Sequence, residues 1–236
     1  MSTIQPAHAT KNVASLAYPL PPPLSHKTLH LAQDSTAATT TGSTLWLGAQ
    51  VLTIYLYTLY TPIASHGKRA LDLGAGTGLT SLALAALGWD VTSTDVAQLV
   101  SSTGILRRNI EDPRNGSTAG TAHVRELDWL APPLDEQPYD LIVTADTIYS
   151  PPLVVPLLNT IRAYADAKTV VLVALEVRDE ALIRGALETA TEMGFVVKKV
   201  PRTKLRKALG VAKVEWAKEE WAGVEVWRLK WEGGDA

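Results

Sequence analysis

Cysteine is absent from all 236 residues, which removes disulfides, thiolate metal sites and cysteine nucleophiles together and fits an intracellular protein. An excess of positive charge is also missing. With a formal net charge of −2, the chain lacks the broad basic surface that duplex nucleic acid demands, so no nucleic-acid partner is expected. Residues 1–27, "MSTIQPAHATKNVASLAYPLPPPLSHK", contain no basic segment leading into an apolar run and do not read as a secretory signal. The expected location is the cytosol, or the nucleus. His8, His26, His30, His66 and His123 are scattered without ligand spacing, so no metal is expected. No internal repeat is visible.

Long apolar runs are scarce, with one exception. "LWLGAQVLTIYLYTLYTPIA", residues 45–64, holds no formal charge over about the length of a bilayer span. Gln50, the threonines and tyrosines inside it, and the lack of a Lys/Arg cluster at either end argue against a membrane helix. The expectation is a helix from about Trp46 to Tyr60, buried against a sheet on one face and under other parts of the chain elsewhere.

The chain is 46% hydrophobic and 19% charged, enough to bury the core of one α/β domain. "PLPPPL" at 19–24 favours polyproline II and "DSTAATTTGST" at 34–44 is a small-residue run, so residues 1–41 are expected to be a flexible extension or to drape over a domain spanning 42–236. From Lys68 onward, short apolar runs alternate with helical patterns. "RALDLG", "WDVTSTD", "AHVRELDW", "YDLIVTAD" and "TVVLVALEV" read as strands, the last apolar on both faces as in a covered parallel sheet. "AQLVSSTGILRRNI" reads as one helix, Pro151 and Pro152 open another, and Asp179 caps a third that Gly194 ends. "FVVKKV" and "VEVWRLKW" are the last strands, separated by a basic insertion at about 201–222. The alternation implies a doubly wound sheet.

Such sheets bind ligands beyond the carboxyl ends of their strands, where the first strand-to-helix turn sits. Here that turn is "LDLGAGTGLT", residues 71–80. Gly74, Gly76 and Gly78 allow close backbone approach, but their GxGxG spacing brings the third glycine one residue too early for the dinucleotide fingerprint. Asp72 is a poor neighbour for a pyrophosphate and a good one for a cationic ammonium or sulfonium end. Both observations disfavour NAD. Asp95 ends the second strand, where an acid can accept ribose hydroxyls, and Asp128 with Trp129 ends the third, where an amino group and a ring of a base could be met.

"LDLGAGTG" with Asp95, Asp128 and Trp129 resembles the class I, seven-strand S-adenosylmethionine-dependent methyltransferases over roughly residues 42–231. "DTIY", Asp146 to Tyr149, matches the DxxY motif of the methyltransferase-16 family of protein-lysine methyltransferases, and "GSTLWLGA" is similar to that family's Gly-x-x-x-Trp segment. The resemblance implies a Rossmann-like, mostly parallel seven-stranded sheet with helices on both faces, and S-adenosyl-L-methionine as cofactor. It places the cofactor's methionine end near Asp72, Gly74, Ala75 and Gly76, the ribose on Asp95, and the adenine around Asp128 and Trp129. Ala145 belongs to the same cofactor set, and Trp46 closes the pocket from the N-terminal side. Asp146 and Tyr149 are the catalytic pair, lining the entry for the target side chain. Asn109 is read as structural.

By this resemblance the acceptor is a lysine in a protein, of the fungal elongation-factor methyltransferase type, and an elongation factor is the first substrate expected. A monomer is expected. A small-molecule N-methyltransferase would share the cofactor half, and a non-catalytic binding module would keep the fold. Chemically, transfer from a sulfonium to an amine needs a neutral, aligned nucleophile rather than a strong base. Asp146 could hold and orient the incoming ammonium while Tyr149 hydrogen-bonds it, with deprotonation through water. Loss of Asp146 is then expected to abolish transfer and spare cofactor affinity. "KKVPRTKLRK", 198–207, is either a solvated basic helix face or a docking surface for an acidic patch on a protein substrate.

Overall fold

The apolar runs between Arg69 and Glu176 become the parallel strands of one sheet. The computed structural model describes residues 4–36, 41–101, 104–131 and 137–232. In chain order these form α1 (Ala7–Thr10), β1 (Ser15–Pro19), β2 (Thr28–Ala32), α2 (Leu47–Leu59), α3 (Pro62–Ser65), β3 (Arg69–Leu73) and α4 (Leu79–Ala86). There follow β4 (Asp90–Asp95), α5 (Ala97–Val100), α6 (Ile105–Ile110), β5 (Thr121–Glu126), β6 (Leu141–Ala145) and α7 (Pro151–Ala163). The chain continues with β7 (Val170–Glu176), α8 (Glu180–Glu192), β8 (Phe195–Lys199), α9 (Arg202–Val211) and β9 (Val224–Trp231).

The seven-stranded sheet has the order β5-β4-β3-β6-β7-β9-β8. Strands β5, β4, β3, β6 and β7 are parallel, and β9 runs antiparallel between β7 and β8. This is the doubly wound α/β architecture, and its order reverses beside β3, so the β3–α4 turn opens at the switch point. Side chains alternate across the sheet. Leu71, Leu73, Ile142 and Val171 pack against α7 and α8, while Ala70, Val143, Leu172 and Val226 face α2.

Helix α2 explains the chargeless run. It lies on β6, β7 and β9 and is flanked by α4 and α9, so Gln50 and Thr53 are as buried as Leu52 and Ile54. A helix apolar all round is a core helix here. At 13 residues α2 is too short to cross a membrane, and no helix among the described residues is long and apolar enough to do so.

Two expectations need correction. Residues 4–36 are not a loose extension: β1 and β2 pair as an antiparallel hairpin that buries Tyr18, Leu20, Leu29 and Leu31 in the same core as α2 and α4. Burying those side chains supplies the driving force that the proline-rich composition concealed. The hairpin thus drapes over the core, as the second of the two expected alternatives has it, and residues 1–3 and 37–40 of the expected extension lie outside the described residues. The expected helix over 97–110 is interrupted, giving α5 and α6 separated by Gly104. Ser101 (ψ 167°) and Gly104 (φ −67°, ψ 146°) are extended, and the backbone at Gly104 passes so close to Leu99 that a Cβ would stand 2.2 Å from its carbonyl oxygen. Residues 102–103 of that stretch lie outside the described residues.

Candidate functional site

The glycine turn follows Leu73 at the carboxyl end of β3. Gly74 and Gly76 have φ of 68° and 56°, in the left-handed region that glycine enters without strain. Space also excludes a side chain: a Cβ on Gly74 would lie 2.7 Å from the Thr147 methyl, and one on Gly76 would lie 3.1 Å from the Gly42 carbonyl oxygen. Gly42 thus leans on the turn from the N-terminal side. Asn109, buried on α6, ties this arrangement to the hairpin: its amide donates to the carbonyls of Ala32 (3.0 Å) and Thr77 (2.8 Å), and its oxygen accepts the Ala32 N–H at 2.7 Å.

The acids occupy different surroundings. Asp72 is buried on β3 and accepts the Ser81 hydroxyl of α4 at 2.6 Å; Ser81 in turn meets Ser93 at 2.7 Å. Burial pushes the Asp72 carboxyl up to about 7, against the opposing pull of the Ser81 hydrogen bond, and the Asp95 charge adds to the rise. Asp95, ending β4, accepts the Gly76 N–H at 2.9 Å on one oxygen and the Val96 N–H at 2.8 Å on the other. Burial raises its carboxyl too, and the two N–H groups oppose that rise. Asp128 lies just past β5 and is exposed, its carboxylate accepting the Leu130 N–H at 2.9 Å. Trp129 is half-buried with its six-membered ring 3.2 Å from where a Gly74 Cβ would stand.

Asp146 follows the last residue of β6 with φ of 56°. One carboxylate oxygen accepts the Gly48 N–H at 2.8 Å and the other accepts the Glu176 N–H at 2.8 Å. It therefore joins the first turn of α2 to the end of β7. Burial pushes its carboxyl up to about 6, moderated by those two N–H groups, with Glu176 adding to the rise and Arg178 opposing it. Tyr149, three positions on, is 56% exposed at the mouth. Trp46 immediately precedes α2; its indole N–H donates to the Thr41 carbonyl at 2.7 Å and its ring is faced by Arg178 at 4.5 Å and Lys11 at 5.4 Å.

These positions converge. Trp46, Asp72, Gly74, Ala75, Gly76, Asp95, Asp128, Trp129, Ala145, Asp146 and Tyr149 all line one cavity of about 390 Å³ at the carboxyl ends of β3, β4, β5 and β6. Sequence reasoning missed Leu99 and Leu127, which supply apolar walls, and Thr44, Leu45 and Thr147. The signal for Leu127 was its place directly before Asp128. Gly48 was also missed, although it stands two residues after Trp46: a Cβ there would come within 2.4 Å of the Asp146 carboxylate.

A doubly wound sheet with a glycine turn at its switch point and acids at the ends of adjacent strands defines a nucleoside-ligand site of the methyltransferase kind rather than a dinucleotide site. The family follows from comparison with known proteins. Residues 24–184 match the family model described as "Lysine methyltransferase", and the chain belongs to that family. It is similar to the protein-lysine methyltransferase METTL21E of Bos taurus, 32% identical over 145 residues (59% of this chain, 49% of the relative). It is also similar to the protein N-lysine methyltransferase METTL21A of Mus musculus, 33% identical over 158 residues (66% and 69%). The chain spans about half the length of several curated relatives it matches, from 49% to 58%. The solved methyltransferase from Pyrococcus furiosus shares the fold, with a TM-score of 0.54 at 19% identity over 86% of this chain and 90% of that one.

Proposed function

We propose that this chain is an S-adenosylmethionine-dependent protein-lysine N-methyltransferase. The observation that carries the reading is the single cavity in which the β3 glycine turn, the carboxylates of Asp72 and Asp95, and the Asp146–Tyr149 pair meet. The donor set suits this cofactor: carboxylates that accept from hydroxyl and ammonium groups line the cavity, and a pyrophosphate would meet two acids. Asp72, Gly74, Ala75 and Gly76 would hold the methionine end, Asp95 the ribose, and Asp128 and Trp129 the adenine, between Leu99 and Leu127. Bound there, S-adenosylmethionine supplies an electrophilic methyl group on a sulfonium.

The chain's own work is positioning. The Asp146 carboxylate draws the incoming ammonium to the mouth with the lone pairs its backbone partners leave free. Through those same partners it keeps Trp46 and the first turn of α2 over the cavity. Tyr149 orients the amine by hydrogen bonding, and the apolar walls exclude water around the reacting pair. The proton leaves through water. A translation elongation factor is the first substrate to test, on the family resemblance alone, with the enzyme acting as a monomer in the cytosol.

The test is calorimetry with S-adenosylmethionine and with NADH, followed by incubation of the full chain with methyl-labelled cofactor and a methylation-naive cell extract. Binding of S-adenosylmethionine alone, with label recovered as methyl-lysine in a protein band, is the expected outcome. Label confined to small molecules would replace the acceptor assignment, and binding of NADH would overturn the reaction class.

A further inference from the structure

The connection from β8 to β9 rises from the same end of the sheet as the cavity. Ala145 pairs with Ala174, Ala174 with Val226, and the neighbouring Trp227 with Lys199, so one row across the sheet links the end of β6 to the end of β8. Residues 200–223 leave the sheet just beyond that row. Within them α9 buries Leu205, Ala208 and Leu209 in the core around α2. With 3.6 residues per turn, that anchored face leaves Lys204, Arg206 and Lys207 on the outer arc, and all three are exposed.

Neighbouring cations are already engaged. Arg202 donates to the Ala222 carbonyl at 2.7 Å and covers Trp221 at 4.0 Å, while Lys199 pairs with Glu225. Lys204, Arg206 and Lys207 have no acidic partner among the described residues. From Phe195 to Val214 the chain contains no Asp or Glu; Glu215, Glu219 and Glu220 come only after α9 ends. Stability alone does not account for this distribution. No acid stands in the first turn of α9, and Arg202 and Lys204 instead oppose the positive end of the helix dipole. In a chain whose net charge is −2, this is a local basic surface on a helix that starts from the same edge of the sheet as the cavity.

We propose that the outer face of α9, formed by Lys204, Arg206 and Lys207, docks an acidic segment of the protein whose lysine enters the cavity. The proposal rests on the methyltransferase reading for the identity of the partner as substrate. Charge complementarity of this sort speeds encounter and sets orientation more than it adds raw affinity, and it weakens with salt. A flexible lysine-bearing loop with acidic neighbours would be steered to the rim before its amine reaches Tyr149.

The test uses the full chain and a fluorescein-labelled peptide of alternating Glu and Ala around one lysine, read by fluorescence anisotropy in low and high salt. The Gln counterpart of that peptide, a single-stranded oligonucleotide and phosphatidylserine vesicles serve as competitors. Salt-sensitive binding of the Glu peptide in preference to all three is expected, weakened about tenfold in the Lys204→Glu, Arg206→Glu, Lys207→Glu variant. The matching triple Gln variant should fall between, and replaces the Glu variant if that one does not fold. Equal binding of the Gln peptide, unchanged binding in the variants, or tighter binding of the oligonucleotide or vesicles overturns the proposal. Calorimetry with S-adenosylmethionine on the same samples separates the two failures. A wild-type chain that does not bind the cofactor removes the methyltransferase reading whatever the peptide does, whereas intact cofactor binding with indifferent peptide binding removes the docking surface alone.

Discussion

The Asp146 carboxylate accepts the Gly48 N–H at 2.8 Å, so a residue just past β6 caps a helix that begins almost a hundred positions earlier in the chain. Helix α2 has no side-chain cap of its own at Trp46. Asp146 supplies the missing acceptor and, through its second oxygen, fixes the end of β7.

That double role changes the expected behaviour of Asp146 variants. Asp146→Ala leaves the Gly48 and Glu176 N–H groups without acceptors in a buried setting, a loss of about 1–3 kcal/mol for each. Because Trp46 precedes the released helix turn, cofactor affinity should fall together with transfer, contrary to what the motif alone suggests. Asp146→Asn keeps one acceptor oxygen and should lose transfer with a smaller change in cofactor affinity. Thermal denaturation, calorimetry and single-turnover methyl transfer on the two variants read these effects separately.

Gly48→Ala tests the same contact from the other side. Alanine is the better helix former by about 1 kcal/mol, so propensity by itself would stabilise α2. The added Cβ would sit 2.4 Å from one Asp146 oxygen and 2.6 Å from the other. The carboxylate has to move, and methyl transfer should drop at least tenfold while helix content by circular dichroism is unchanged; wild-type turnover in this variant would show that the Asp146 position is not critical.

Asn109→Ala should loosen the hairpin. The substitution removes the acceptor for the Ala32 N–H and the donor to the Ala32 and Thr77 carbonyls. A lower melting temperature and faster proteolysis near β2 are expected, from a cost of about 1–3 kcal/mol. Cofactor binding should weaken as well, because the Thr77 carbonyl belongs to the glycine turn.

The pH dependence follows from the buried acids, with Asp72 raised furthest and Asp95 and Asp146 raised by burial in the same sense. The Asp72 carboxyl is held up to about 7 in the folded protein against an ordinary value of 3.8, so the folded state keeps a proton that the unfolded chain gives up first. Stability should therefore decrease as pH rises from about 4 to about 7, and Asp72→Asn should lessen that decline. Asp112 and Asp166 are held low and act in the opposite sense below this window. Melting temperatures across the range for wild type and variant decide the matter; an equal slope in both would remove Asp72 as one of its sources.

Much of this was legible in the chain. The β3 turn declares itself because a strand, closely spaced glycines and a helix are local features, read within ten residues. Asp95 and Asp128 were legible for a related reason: in a parallel sheet every strand ends at the same edge, so recognising the strands places the acids at their ends together, whereas Asp146 was read through the family's DxxY motif. The N-terminal hairpin was not legible. Prolines and small residues hide a burial that depends on a core built by α2 and α4. Nor does local periodicity show that β9 inserts antiparallel between β7 and β8, which brings α9 to the rim.

The amino-acid sequence by itself determined the alternation of strands and helices, the glycine turn and the acids that follow the strands, because each is set by side-chain period and backbone freedom over a few residues. Tertiary structure alone decided which N–H groups Asp146 accepts, that Asn109 ties the hairpin to the Thr77 carbonyl, and which face of α9 meets solvent. Those outcomes depend on partners distant along the chain, chosen by burial and by the need to satisfy every buried polar group.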